Sequence, residues 1–173
     1  MVNSYNPIDN YWFVAGDMSR VWSSKRFAYV SAGDGDYQSW LADPRNITAI
    51  NPSVDDLSLV MQEQALPVYF QTTGLVVTSQ SNTAVNGTYA LDRTTLNQIG
   101  AVARDVGAGL GLPLGNDSFG YPDINGNIKM LNEQNIMDLY KAMRNFIAAT
   151  TYAVQQSVTG QSVQLPPNTV TIG

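Results

Sequence analysis

Apolar and polar positions alternate or recur along the chain with periods that change from segment to segment. Residues 10–30 carry strand periodicity and read as a β-hairpin. Tyr11, Trp12, Phe13 and Val14 are aromatic or β-branched, Ala15-Gly16-Asp17 is a turn signal, and Val21-Trp22 and Phe27-Ala28-Tyr29-Val30 resume strand character beyond a bend at Ser23-Ser24. Asp36 to Leu41 predicts one or two helical turns with Tyr37, Trp40 and Leu41 on one face, Asp36 as the cap and Pro44 as the stop. Ile47 to Ile50 reads as a short extended piece. Ser53 predicts the N-cap of a helix striped by Val54, Leu57, Val60 and Met61, with Asp55 and Asp56 favoured by the helix dipole and Pro67 as the end. Val68-Tyr69-Phe70 and Leu75-Val76-Val77 read as β runs, and polar residues 79–86 as a linker. Asn86-Gly87 is a turn before a short strand, Thr88 to Leu91.

The remaining pattern is mainly helical. Asp92 or Thr95 caps a helix whose buried face is Leu96, Ile99, Val102, Ala103, Val106 and Leu110, and which Gly107, Gly109, Gly111 and Pro113 end. Asn125-Gly126 between two apolar arms predicts a two-residue type I′ hairpin. Asn132 caps the longest helix, about residues 133–158. Its stripe runs Ile136, Tyr140, Met143, Ile147, Thr150 or Thr151, Val154 and Val158, spaced by fours and threes as in a coiled-coil seam. Gly160 closes it, and an extended tail with Pro166-Pro167 leads to Val170-Thr171-Ile172.

These elements predict an α+β protein. A small N-terminal β-rich unit (1–80) precedes a two-helix unit with an inserted β-hairpin (86–160) and an extended tail (161–173). A chain of 173 residues suits one domain or two small ones and needs no disulfide or metal to fold.

Composition narrows the chemistry. There is no Cys and no His, which removes disulfides, zinc sites built on those residues, thiol nucleophiles, Ser-His-Asp triads and histidine acid–base catalysis. Charged residues are 13% of the chain, against about 25% in an average domain. Polarity comes instead from uncharged groups, including 15 Asn and 11 Gln, which cost less to bury than ions. The balance suits surfaces that pack on other protein. Nine basic residues against 14 acidic ones give a net charge of −5; the densest basic group is Lys25-Arg26 with Arg20, so no nucleic-acid partner is expected. No apolar run approaches a membrane span, and the N-terminus has no basic region followed by an apolar stretch, so neither a membrane partner nor a signal peptide is expected.

Local motifs are better read as structure than as sites. Gly107-Ala-Gly109-Leu-Gly111 lacks the preceding strand and the Lys of a nucleotide loop. Asp123-Ile-Asn125-Gly126-Asn127 has its Gly in the wrong place for a calcium loop. Asp34-Gly-Asp36 reads as a solvated loop. The acids do not form a catalytic pair. No catalytic residue, metal site or cofactor is expected, and the chain is read as a non-enzyme. The interface candidates are Ile136, Tyr140, Met143, Ile147, Val154 and Val158 of the long helix, with Trp12, Trp22 and Trp40 of the aromatic N-terminal segments.

Several of these segments together resemble a known group. Tyr11-Trp12-Phe13-Val14-Ala15-Gly16-Asp17, Val21-Trp22-Ser23-Ser24, Tyr29-Val30 and Asp36-Tyr37-Gln38-Ser39-Trp40-Leu41-Ala42 resemble the short proteins of tailed bacteriophages and prophages often encoded near tail-fibre genes. Gly87 to Asp92, Gly109-Leu110-Gly111-Leu112-Pro113, Phe119-Gly120-Tyr121 and the long helix are similar to the helical C-terminal region of such proteins. The chain departs from the pattern at Asp43-Pro44-Arg45, where a Gly-rich turn is expected. The resemblance implies a virion component, assembled in the host cytoplasm. It would act as a tail-associated structural or adaptor protein through contacts with other virion proteins and with itself as a homo-oligomer. It carries over no enzymatic residues. The alternatives are a tail-fibre assembly chaperone absent from the mature particle and a host-surface glycan-binding module using Trp22 or Trp40.

Overall fold

A computed structural model describes residues 10–46 and 53–173. Its mixture of helices and small sheets is an α+β fold. The chain forms two compact units: residues 1–68 with 150–165, and residues 69–149 with 166–173. The division differs from the expected one. It falls inside a helical segment, and residues 150–165 return to the first unit. The stretch 79–86 is not a linker. Val85 is fully buried in a short 3₁₀ turn, Asn86 Oδ1 accepts from Ser79 N at 2.7 Å, and Asn82 Nδ2 donates to Asn135 Oδ1 at 3.0 Å. Hydrogen-bonded Asn and Ser side chains let a polar segment fold, and that is what its composition concealed.

In the first unit, β1 (Tyr11–Val14), β2 (Asp17–Ser23) and β3 (Ala28–Ser31) form an antiparallel meander in that order, one strand more than a hairpin. Ala15 and Gly16 both have positive φ, at 53° and 80°, as a two-residue type I′ turn demands. Helix α1 (Gly35–Leu41) follows, capped by Asp34 and not by Asp36: the Asp34 side chain accepts from the backbone N–H of Asp36 and Tyr37. Tyr11, Val21 and Tyr37 form a small core that Phe13, Val30, Trp40 and Leu41 pack against.

Helix α2 (Val54–Val60) begins with the capping box that Ser53 predicts, completed by Asp56. It does not end at Pro67. A π turn (Met61–Ala65) leads into α3 (Leu66–Thr73), so Val68-Tyr69-Phe70 are helical and not β. The Leu66 N–H reaches back to the Met61 carbonyl. That wider i→i−5 turn sits just before the proline and makes room for a ring that would strike the carbonyl of an ordinary helix. The expected extended piece at 47–50 lies outside the described residues.

In the second unit, β4 (Leu75–Ser79) is central in the sheet, between antiparallel β5 (Gly87–Tyr89) and parallel β8 (Thr169–Ile172). The tail strand is thus paired within its own chain. Helix α4 (Arg93–Gly107) is capped by Asp92, whose side chain accepts from the N–H of Thr94 and Thr95. Positive φ at Gly109 and Gly111 follows its end.

Strands β6 (Phe119–Pro122) and β7 (Ile128–Leu131) form the expected hairpin. The turn is not type I′: Gly126 alone has positive φ, at 82°, and its N–H donates to the Asp123 carbonyl at 2.9 Å. A type I turn followed by a left-handed glycine fits this pattern. The Asp123 carboxylate holds it, accepting from Asn125 N and from both Asn127 nitrogens at 2.9–3.0 Å. Those bonds favour its charged form and lower its pKa. Helix α5 (Glu133–Val158) has the predicted bounds, with Asn132 Oδ1 accepting from Asn135 N at 2.8 Å. Its residues 133–149 belong to the second unit and 150–158 to the first.

A candidate binding groove on the second unit

Of the nine predicted interface residues, Trp12, Trp22, Ile136, Met143, Val154 and Val158 are buried within the chain. Tyr140, Ile147 and Trp40 are half-buried. The coiled-coil-like stripe of α5 therefore serves mostly its own fold. Most of the stripe is buried and so is not displayed as an outward seam. Trp40 packs its ring on Tyr11 and Tyr37, at centroid distances of 5.4 and 6.4 Å, and Trp22 meets Tyr29 edge-on at 5.1 Å.

Of the three basic residues that looked densest in sequence, Arg20 and Arg26 are occupied. Arg26 is ion-paired with Asp34 at 2.9 Å and also with Asp36, so the Asp34-Gly-Asp36 loop already holds a cation, a guanidinium. Arg20 pairs with Asp17 at 2.9 Å and lies 4.1 Å over the Tyr29 ring. Both borders of a 290 Å³ recess beside β3 are thereby tied down: Arg20 by these contacts, and Tyr29 by its hydroxyl, which donates to the Val158 carbonyl at 3.1 Å. Arg45 pairs with Asp43, and Lys129 lies 3.9 Å from Asp123.

A different cationic group forms where α4 meets α5. A groove of 640 Å³ is lined by Arg104 of α4 and by Met137, Tyr140, Lys141 and Arg144 of α5, with Gln134, Asp138 and Asn145 along its polar side. Arg104, Lys141 and Arg144 are exposed and have no ion pair among the described residues. Arg104 Nε donates to the Gly100 carbonyl at 3.2 Å, which fixes the stem and leaves the terminal nitrogens to the groove. The Arg144 guanidinium lies 5.6 Å from the Tyr140 ring centroid, within cation–π range. Asp138, the one acid of the lining, accepts from Gln134 Nε2 at 2.9 Å.

This cluster was missed in sequence because two helices far apart in the chain supply it. Its signals were Lys141 and Arg144 at i, i+3 on one helix face, and Gly100 within the opposing helix, a mark of close approach. Chemically the groove can bind carboxylates or other anions. Among the described residues no group of three or more Asp or Glu is placed to hold a metal ion, and no helix is long and apolar enough to cross a membrane.

Compared with family models, curated proteins and solved structures, the chain matches none.

Proposed function

We propose that the chain is a non-enzymatic, tail-associated structural or adaptor protein of a tailed-bacteriophage particle, acting by contact with neighbouring protein chains. The observation that carries this reading is the α4–α5 groove: three cations with no ion pair among the described residues converge on it in a chain of net charge −5. Burying a partner's carboxylates against them satisfies charges that the fold leaves open. Low charge elsewhere and the bacteriophage-like aromatic segments support the same role. The glycan-binding alternative is weakened, because the Trp22 ring is fully buried and Trp40 packs on two tyrosines.

The test is the protein composition of purified particles. The structural reading predicts the chain in mature virions at a fixed ratio to the other tail proteins. The chaperone alternative predicts it in the lysate with unassembled fibres and not in the particle. A strict monomer absent from both contradicts an assembly role.

A further inference from the structure

We infer that the α4–α5 groove receives the acidic outer stripe of α2 and the π turn from a second copy of the chain. The inference rests on the assembly reading above and names the partner. Asp55, Leu59 and Glu63 recur four residues apart and are all exposed, Leu59 at 51%. Neither Asp55 nor Glu63 has an ion pair among the described residues. At 1.5 Å per residue the two carboxylates stand about 12 Å apart along the helix with Leu59 between them. The groove offers the complement, with Arg104, Lys141 and Arg144 around an apolar floor of Met137, 37% exposed, and Tyr140.

Complementarity of both charge and apolar surface selects this occupant. A free anion would answer the cations and leave Leu59 and Met137 in water. A nucleic acid would meet three cations, the Asp138 carboxylate and a net charge of −5. Repulsion between two acidic copies is screened beyond about 8 Å at physiological ionic strength, while pairs in contact are screened much less. The groove and the stripe are different surfaces, so the contact joins unlike faces of two copies.

Sedimentation velocity over a concentration series of the full chain tests this. The variants are Lys141→Glu/Arg144→Glu, Asp55→Lys/Glu63→Lys and all four substitutions in one chain, with circular dichroism confirming the fold. Should a reversal unfold the chain, Lys141→Gln/Arg144→Gln and Asp55→Asn/Glu63→Gln replace it. The wild type is expected to self-associate, and each reversal alone to weaken association at least tenfold. The fourfold variant, and an equimolar mixture of the two double reversals, are expected to recover it. Self-association unaffected by either reversal overturns the inference and leaves the assembly reading standing on another surface. A wild type that stays monomeric throughout also overturns it, and particle composition then decides the assembly reading separately. Salt-sensitive capture of a single-stranded oligonucleotide by the groove, lost in Lys141→Glu/Arg144→Glu and without self-association, overturns it in favour of a polyanion.

Discussion

The Tyr140 ring occupies the space that a side chain at Gly100 would need: a Cβ there would stand 2.9 Å from Tyr140 Cε2 and 3.2 Å from its hydroxyl oxygen. The glycine lets α4 and α5 approach closely, and the tyrosine that fills the gap is part of the groove lining. Gly in a helix interior costs about 1 kcal/mol relative to Ala, so its presence in α4 follows from this contact and not from helix propensity.

Gly100→Ala therefore trades that propensity gain against displacement of Tyr140. In the native background the change is expected to leave stability unchanged or lower it. In a Tyr140→Ala background, with the ring gone, it should stabilise by about 0.8–1 kcal/mol. A double-mutant cycle by urea denaturation measures the coupling, expected at about 1–2 kcal/mol. Equal effects in both backgrounds would show that the ring does not press on position 100.

In the first unit, Trp22 is fully buried and its indole N–H finds no partner among the described residues; the same is true of the buried Thr150 hydroxyl. An unsatisfied buried polar group costs about 1–3 kcal/mol. Trp22→Phe removes the orphan donor while keeping most of the ring, and should cost well under the ~3–5 kcal/mol of Trp22→Ala. Thr150→Val keeps the shape without the hydroxyl and is expected to be neutral or stabilising by about 1 kcal/mol. Thermal unfolding of the three variants ranks them, and a Thr150→Val chain clearly less stable than wild type would mean the hydroxyl is bonded.

The second unit buries two tyrosines against each other, with Tyr89 and Tyr121 stacked at a centroid distance of 6.1 Å. Their hydroxyls donate to the Val85 carbonyl at 2.6 Å and the Thr95 carbonyl at 2.8 Å. Burial pushes the Tyr89 phenol up from its ordinary 10.0 to about 12, and raises Tyr121 as well. The folded chain thus holds these protons after the unfolded chain has lost them. Their contribution to stability is complete below pH 10 and declines as pH rises from there toward 12. Denaturation midpoints measured from pH 9 to 12 should fall, and Tyr89→Phe should flatten the fall. An unchanged slope in that variant would contradict the burial argument.

Much of the fold was legible where the signal is local. Asp92 and Asn132 announce their helices because a cap is written within four residues, and α5 follows its periodicity to the predicted ends. Pro67 misled because its cost depends on the turn before it, and a π turn removes the clash that would have ended the helix. Asn125-Gly126 marks a turn but not its type, which the bonds to Asp123 select. The groove was the least legible feature. Arg104, Lys141 and Arg144 become neighbours only when α4 and α5 pack, whereas the denser-looking Arg20 and Arg26 are answered by nearby aspartates. Aromatic strand residues such as Trp12 and Trp22 carry the same letters whether they face a core or a partner, and here they face the core.

The most direct test of the groove as a contact surface is an experimental structure of the assembled form. Carboxylates of a neighbouring chain are expected within about 4 Å of the Lys141 ammonium and the Arg104 or Arg144 guanidinium, with an apolar side chain over Met137. A groove open to solvent in the assembled particle would contradict this expectation.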